Sequence, residues 1–172
     1  MRIETKDLIL KKAVQSDWEA MYRNLWCHEE SARYMLWTVT TSEEEAQDRM
    51  RRTIEFEKKE KYALLVYDKR SGQAIGFAGM REIEPGVFEE TGVALGPEFV
   101  GKGYGKQILN ALVEEAFYTC SAHKFLACCR TENIASHKLQ MSCGFKLRYY
   151  EKKIDSRNGK GFIMEYNEKT AR

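Results

Sequence analysis

Three closely spaced glycines, Gly101, Gly103 and Gly105, stand directly before a stretch of helix-forming sequence, KQILNALVEEAFYT. Glycines at the start of a helix leave backbone N–H groups unhindered at its positive end, which is an arrangement suited to binding phosphate. Lys102 and Lys106 add positive charge to the same stretch. A flexible turn between a strand and a helix explains the glycines equally well, so their context has to decide.

Two nucleotide-binding motifs resemble this stretch, but neither is complete. Gly96, Gly101 and Lys102 have the spacing of a Walker A loop, yet Gly103 stands where a Ser or Thr would bind magnesium. A dinucleotide-binding fingerprint would need a glycine where the chain has Lys106. Both motifs also belong to parallel sheets. The strands that precede the glycines predict a different arrangement.

Those preceding strands have the pattern of an antiparallel meander. The segments YALLVYD, QAIGFAGMREI and VFEETGVAL alternate with the turn sequences KRSG and EPG. Upstream, residues 6 to 14 predict an opening strand, and a capping box of Ser16 with Glu19 predicts the start of a first helix. A second capping box, Ser42 with Glu45, opens a predicted amphipathic helix over residues 43 to 59, with charge on its outer face.

The part of the chain after the glycines predicts two helices and three strands. The helix after Gly105 carries an apolar stripe, and KFLACCR follows it as a buried strand. A short helix from Asn133 to Cys143 ends at Gly144, and residues 145 to 154 and 162 to 167 form a hairpin around SRNGKG. This order predicts one α+β domain over residues 1–172, with a mixed sheet.

Composition favours an ordinary globular enzyme or binding domain. The chain has 172 residues, 28 Lys and Arg against 26 Asp and Glu, and five cysteines with no paired spacing. A net charge of +2 does not indicate a nucleic-acid partner, and the cysteine pattern indicates reduced thiols rather than a metal site. Without an N-terminal targeting signal or a long apolar run, we expect a cytoplasmic protein that does not bind membranes.

Three segments, in this order, resemble the GNAT acetyltransferases, and within them the branch of the ribosomal-protein N-terminal acetyltransferases. These segments are TKDLILKKAVQSDW, ETGVALGPEFVGKGYGKQIL and NIASHKLQMSCGF. The resemblance implies an α+β GNAT-like fold, whose mostly antiparallel sheet has six to seven strands and about four flanking helices. It also implies acetyl-CoA as the acetyl donor and no metal. The glycine stretch corresponds to the pyrophosphate loop, although Val100 replaces the usual Arg or Gln.

The resemblance also implies which residues contact acetyl-CoA. The main chain of one strand would bind the pantetheine arm at Val93, Ala94 and Leu95. The pyrophosphate would be held by Val100, Gly101, Lys102, Gly103, Tyr104, Gly105 and Lys106. Asn133 and Ser136 would face the pantetheine and the thioester, although Asn133 is equally suited to cap its helix and Ser136 to lie in the first helical turn.

Acetyl transfer to an amine needs a proton acceptor and a proton donor. Glu90 is the leading candidate for the base, although it could equally be a surface carboxylate. Glu89 points to the other face of a regular strand, and Glu151 is a second candidate. The tyrosine acid of many GNAT enzymes is replaced here by Gln140, which leaves Ser136 as the candidate proton donor.

Other chemistry-bearing residues have no recognisable partners in the sequence. We assign no chemistry to His28, His123 and His137, and Cys128 and Cys129 are expected to serve packing. The apolar cluster of residues 34 to 37 either packs in the core or lines the acceptor pocket.

The sequence thus predicts an N-acetyltransferase acting by direct attack of a primary amine, either a protein N-terminus or a small molecule. A silent acyl-CoA-binding protein and a nucleotide-binding module are the alternatives. A homodimer could form through the edge strand of the final hairpin.

Overall fold

The computed structural model describes residues 1–171 as an α+β fold. Its strands are β1 (Arg2–Glu4), β2 (Leu8–Lys11), β3 (Ala63–Asp68), β4 (Ala74–Glu84), β5 (Val87–Leu95), β6 (Lys124–Arg130), β7 (Lys146–Ile154) and β8 (Gly161–Thr170). Its helices are α1 (Trp18–Met21), α2 (Glu29–Ala32), α3 (Glu43–Lys59), α4 (Tyr104–Glu114) and α5 (Ile134–Ser142). Short π-helical segments extend α1 over Tyr22–Trp26 and α4 over Glu115–Thr119.

The eight strands form one mixed sheet in the order β1-β2-β3-β4-β5-β6-β8-β7. Strands β5 and β6 pair in parallel, whereas β1-β2, β2-β3, β3-β4, β6-β8 and β7-β8 are antiparallel. The predicted mixed, mostly antiparallel sheet is therefore confirmed. It exceeds the expected six to seven strands because a further short strand, β1, precedes the predicted opening strand and pairs with it through a tight turn. In this turn Thr5 N donates to Leu8 O and Leu8 N to Thr5 Oγ1, both at 3.0 Å.

The chain divides into two compact units. The first contains residues 1–81 and 91–112, and the second contains residues 82–90 and 113–172. The first unit has a core of side chains from α1 to β4, including Met21, Leu25, Trp26, Met50, Leu65 and Tyr67. In the second unit Phe125 and Phe145 meet edge to face at 6.1 Å, and both are buried. Each unit thus buries an apolar core of its own.

The first helical segment begins two residues before the position that the sequence predicted. A 3-10 turn over Gln15–Asp17 precedes α1, and Asp17 Oδ2 accepts a hydrogen bond of 2.8 Å from Val14 N. Glu19 instead pairs with Arg23 at 2.7 Å. The predicted capping box of Ser16 with Glu19 is wrong because the turn begins two residues earlier, at Val14, whose N–H group donates to the Asp17 carboxylate.

Helix α3 has the predicted bounds, and both of its ends are capped. Ser42 Oγ accepts from Glu45 N at 3.2 Å, while the Glu45 carboxylate accepts from Thr41 N at 2.8 Å. At the other end the Lys12 ammonium donates, at 2.7 to 2.9 Å, to the carbonyl oxygens of Glu57, Glu60 and Ala63. A cation at the C-terminal carbonyls also complements the helix dipole.

The inner face of α3 carries charge that the sequence-based prediction placed only on the outside. Glu57 is 4% exposed, and its Oε2 accepts a hydrogen bond of 2.7 Å from Ala13 N. Burial raises the pKa of Glu57 to about 7, although the Ala13 amide and the charge of Lys12 oppose the increase. The folded protein therefore holds this proton at pH values where an unfolded chain would release it.

We expect the stability of the protein to fall as the pH rises from about 4.5 to about 7. Below this window Glu57 is protonated in both states, and within it only the unfolded chain releases the proton, so unfolding becomes easier by up to about 3 kcal/mol. Glu57→Gln keeps an acceptor for Ala13 N and should flatten this part of the profile. Urea unfolding across the pH range measures it, and parallel profiles for the two proteins would contradict the prediction.

Candidate functional site

The glycine loop lies in the first unit, between the end of β5 and the start of α4. After a 3-10 turn over Pro97–Phe99, Gly101 and Gly103 have φ angles of +79° and +78°, and a Cβ added to either would meet nothing within 4 Å. Side-chain-bearing residues rarely adopt such angles, so glycine is required by the backbone conformation and not by lack of space. The space next to both glycines is open to a ligand.

Two side chains fix the first turn of α4. Gln107 Oε1 accepts from Thr5 Oγ1 at 2.8 Å and from Asp7 N at 3.0 Å, and its Nε2 donates to Asp7 Oδ2 at 2.6 Å. The Tyr104 hydroxyl hydrogen-bonds to Asp68, the last residue of β3 before the β3-β4 turn. The start of the helix is therefore anchored to the β1-β2 turn and to the β3-β4 turn.

The anchored helix start presents backbone donors. The bond from Gln107 N to Gly103 O, 3.2 Å long, belongs to the first turn, so the N–H groups of residues 104 to 106 have no carbonyl one turn earlier within the helix. Lys102, Lys106 and Val100 are exposed beside them. Backbone donors, the positive helix end and two lysines fit a diphosphate group, and Val100 does not obstruct a cradle made of main-chain groups.

Close packing sets the position of the strand that leads into the loop. A Cβ on Gly76 would lie 2.1 Å from Ala94 O, and one on Gly96 would lie 1.9 Å from Asn24 O. Gly96, which the sequence places at the first position of an incomplete Walker A motif, is therefore required by packing. Val93, Ala94 and Leu95, the predicted pantetheine strand, are half-buried on β5.

Glu90 lies in the second unit, where the pairing of β5 ends. The parallel register joins Val87 to Lys124, Phe88 to Phe125 and Glu89 to Leu126, and Glu90 is the next residue. Its side chain is half-buried. Desolvation, followed by the charges of Glu90 and Glu89, raises the pKa of the Cys128 thiol to about 11. Cys128 is exposed on β6, where a buried position was expected, because the strand alternates and its neighbour Cys129 points inward.

Asn133 and Ser136 lie together at the start of α5. Asn133 Oδ1 accepts from Ser136 N at 3.1 Å, which makes Asn133 the N-cap. Gly144 follows the helix with φ of +84°. Gln140, the residue in place of the family tyrosine, is 1% exposed, and its Nε2 donates to Ser136 Oγ at 3.2 Å and to Cys128 O at 3.3 Å. An amide has no acidic proton to deliver, so Gln140 instead orients the Ser136 hydroxyl.

Further hydrogen bonds stabilise this helix through a buried carboxylate. Glu165 Oε1 lies 2.8 Å from His137 Nδ1, accepts from Asn167 Nδ2 at 3.0 Å and is 3.2 Å from Cys129 Sγ. Burial favours the neutral acid, but these bonds outweigh it and lower the pKa of Glu165. Burial and then the bond to Glu165 raise the pKa of Cys129 to about 12, so its thiol is a poor nucleophile.

Glu151 is poorly suited to be a base. It lies on β7, where its Oε2 accepts from the Tyr166 hydroxyl at 2.8 Å and pairs with Lys153 at 3.3 Å. The bond from Tyr166, followed by the one from Lys153, lowers the pKa of Glu151. A less basic, exposed carboxylate has little tendency to take a proton from an ammonium group.

The first unit contains a cavity of about 210 Å³ between α3 and the sheet. Its wall on α3 includes Arg49, Thr53, Phe56 and Glu57, and its wall on the sheet includes Phe77, Gly79, Thr91 and Gly92. Trp37 lines it too, whereas Leu36 is 83% exposed. Of the predicted apolar cluster, Trp37 therefore faces the cavity and Leu36 faces solvent.

Arg49 is the feature of this cavity that sequence reasoning missed. Its guanidinium lies 4.7 Å from the ring centroid of Trp26 and 4.5 Å from that of Trp37. The signal was present in the spacing, because residues 49, 53 and 57 follow one another at four-residue intervals and so share one helix face. A polar stripe of this kind is concealed when only apolar residues are counted.

The structure thus groups the predicted residues by unit: the pantetheine strand and the loop in the first, and Glu90, Asn133 and Ser136 in the second. All five cysteines are free, as predicted. Among residues 1–171, no group of three or more His, Cys, Asp or Glu side chains is arranged to hold a metal ion. Within the same residues, no helix has the length and apolar character that crossing a membrane requires.

Most of the chain matches a known protein family. A family model described as the acetyltransferase (GNAT) domain matches residues 7–146. The uncharacterized N-acetyltransferase YnaD of Bacillus subtilis (strain 168) is 24% identical over 153 residues, which are 89% of this chain and 87% of YnaD.

Solved structures share the fold over nearly the full length. An acetyltransferase (GNAT family) from Bacillus anthracis has a TM-score of 0.84 at 20% identity, covering 99% of this chain and 98% of its own. The ribosomal L7/L12 alpha-N-protein acetyltransferase RimL, solved in complex with coenzyme A, has a TM-score of 0.75 at 21% identity, covering 99% and 98%. The chain therefore belongs to the GNAT family of acetyltransferases, which take their acetyl group from acetyl-CoA.

Proposed function

We propose that this protein transfers the acetyl group of acetyl-CoA to a primary amine by direct attack of the amine on the thioester. The observation that carries the proposal is the glycine loop before α4, whose backbone donors are held in place by Tyr104 and Gln107. The match to the GNAT family and the similarity to RimL, an acetyltransferase of a protein α-amine, support it.

The loop and its neighbouring strand would bind the donor. Residues 100 to 106 are assigned to the pyrophosphate, mainly through main-chain N–H groups, with Lys102 and Lys106 adding charge. The main chain of residues 93 to 95 is assigned to the pantetheine arm. Acetyl-CoA supplies an activated acetyl thioester, so the protein has to position it and manage two proton transfers.

Glu90 and Ser136 are assigned to the proton transfers. A lysine-like amine with a pKa of about 10.4 is less than about one part in a thousand neutral at pH 7, so a base is needed to make it a nucleophile. Glu90 is placed in that role, directly or through water. The Ser136 hydroxyl accepts from Gln140 and hydrogen-bonds to Cys129, and its hydrogen is assigned to the departing sulfur. Asn133 caps the helix that carries Ser136.

Release of coenzyme A in the presence of amines, with EDTA added, tests the function. We expect turnover with at least one class of amine, with the acetylated product identified by mass spectrometry.

Gly103→Ala should raise the KM for acetyl-CoA about tenfold, since an alanine at this φ costs roughly 1–2 kcal/mol and displaces the loop.

Gly159→Ala is the matched control for this variant. Gly159 has φ of +71°, and an added Cβ there also has nothing within 4 Å, but it lies in the β7-β8 turn. Gly159→Ala should destabilise the protein as much as Gly103→Ala does and leave the KM for acetyl-CoA unchanged. Binding of acetyl-CoA without turnover on any amine would favour a silent acyl-CoA-binding protein, and magnesium-dependent ATP binding would favour a nucleotide-binding module.

Ser136→Ala should lower kcat more than it weakens acetyl-CoA binding. A group that donates a proton or hydrogen bond only as the sulfur departs acts on the transition state, and its loss appears in kcat. A thiolate needs less assistance than an alkoxide, so we expect a decrease of about tenfold to a hundredfold. Steady-state kinetics measures both constants. An increased KM for acetyl-CoA at unchanged kcat would make Ser136 a cofactor contact only.

Glu90→Gln should lower activity in a way that depends on the acceptor. The loss should be larger for an amine with a pKa of about 10.4 than for an α-amine near 8, and it should shrink as the pH rises and the amine loses its proton in solution. Profiles of kcat/KM against pH for both amines measure this. Glu89→Gln, on the other face of the strand, is the control, and equal losses for both amines at every pH would remove Glu90 from the role of base.

A further inference from the structure

The indole nitrogen of Trp37 finds no hydrogen-bond acceptor in the part of the chain that the structure describes. Among the described residues, Trp37 Nε1 is one of two buried side-chain polar atoms that lack a hydrogen-bond partner, and Trp37 lines the cavity of about 210 Å³ in the first unit. An indole N–H can only donate. A buried donor without an acceptor is destabilising, so its retention beside a cavity suggests that a ligand supplies the acceptor.

Arg49 brings positive charge to the same end of the cavity. Both of its side-chain hydrogen bonds use Nη1 and go to neutral oxygens, Thr40 Oγ1 at 2.9 Å and Thr38 O at 3.4 Å. Its guanidinium lies against the rings of Trp26 and Trp37, and burial lowers its pKa only to about 10, so it stays cationic at neutral pH. A guanidinium has five N–H donors, so further donors remain for a ligand.

We propose that this cavity is the acceptor pocket and that it takes a small primary amine carrying a carboxylate, which Trp37 Nε1 and Arg49 bind. This inference rests on the proposed function. The groups at this end of the cavity that still have donors to offer are the Trp37 indole N–H and the Arg49 guanidinium, so the complementary ligand group is an anionic oxygen acceptor. Arg49 also offers the geometry that carboxylates prefer.

The dimensions of the cavity favour a small acceptor. A cavity of about 150 Å³ accommodates benzene, so one of about 210 Å³ holds roughly eight non-hydrogen atoms. Arg49 and Glu57 are eight positions apart on α3, which places their backbones about 12 Å apart along the cavity. A short amino acid fits within this space.

The sheet wall of the cavity adjoins the strand that is assigned to the acetyl donor. Thr91 and Gly92 line the cavity and directly precede residues 93 to 95, which are assigned to the pantetheine arm. A Cβ on Gly92 would lie 3.2 Å from Phe77 Cε2, so this wall is already tightly packed. An acceptor whose carboxylate is held at Arg49 would therefore direct its other end towards the strand that is assigned to the acetyl donor.

Matched acceptors of equal length test the proposal. We would compare ω-amino acids of increasing chain length with their carboxamides and with the corresponding alkylamines, for example 4-aminobutanoate, 4-aminobutanamide and n-butylamine, in the CoA-release assay. At the best length, kcat/KM should be highest for the carboxylate and lowest for the alkylamine, with about tenfold or more between these two. Hydrogen bonds to charged groups have about this effect.

Two variants identify the residues responsible. Trp37→Phe keeps an aromatic ring and removes the donor, so it should lower kcat/KM for the carboxylate about tenfold and leave the alkylamine nearly unchanged. Arg49→Gln should lower kcat/KM for the carboxylate by about tenfold or more. The carboxylate and the carboxamide should then have the same kcat/KM. Arg51→Gln is the control, because Arg51 is exposed on the same helix and pairs with Asp48. Arg51→Gln should leave kcat/KM unchanged for all three acceptors.

The possible results are distinct. Transfer to amines without preference for the carboxylate, or a loss in Trp37→Phe that is equal for carboxylate and alkylamine, overturns this inference and leaves the proposed function intact. No transfer to any amine overturns both. If Arg49→Gln melts too early to assay, the Trp37→Phe comparison decides the question by itself.

Discussion

The placement of the glycine loop depends on how the first turn of α4 is held. Helix termini present donors with no internal partner, and such donors can serve a ligand only if the helix start does not move. Gln107 forms three hydrogen bonds with the β1-β2 turn, and Tyr104 is tied to Asp68. Two turns that are distant in sequence therefore position one short stretch of backbone.

Side chains from distant parts of the sequence also hold helices α3 and α5 in place. Lys12 caps the last carbonyls of α3, and Glu165 on β8 is hydrogen-bonded to His137 on α5. In α5, Gln140 donates to the Ser136 oxygen and so orients the hydroxyl group that we assign to proton donation. Gln140, which stands where many GNAT enzymes have a tyrosine, thus helps to orient Ser136.

Buried charge distinguishes the cavity from the rest of the core in the first unit. Cores are mostly apolar because an unpaired charge or donor loses its hydration. Here Arg49 contacts two indole rings, Glu57 accepts one hydrogen bond from Ala13 N, and Trp37 Nε1 has no partner among the described residues. Buried polar groups without partners are concentrated at binding sites, because a ligand can supply the hydrogen-bond acceptor or the opposite charge that the fold does not provide.

Local pattern in the sequence was sufficient for α3, for the cap at Asn133, for the positive φ at Gly144 and for the meander before the loop. These features depend on neighbouring residues, through periodicity, capping and turn chemistry. The sequence also contained the three segments that resemble the GNAT family, so the family and its acetyl donor could be predicted without coordinates.

Tertiary structure decided what neighbouring residues cannot specify. Asp17 displaced the expected cap at Ser16 because it reaches Val14 N, and an unpredicted strand, β1, pairs with the opening strand across a turn that Thr5 stabilises. Arg49, Glu57 and Trp37 became cavity residues only when α3 packed on the sheet, since whether a charged side chain faces solvent or a cavity depends on what covers it. The sequence by itself determined the family, the loop and most elements, whereas burial and long-range hydrogen bonds determined which polar groups are available for chemistry.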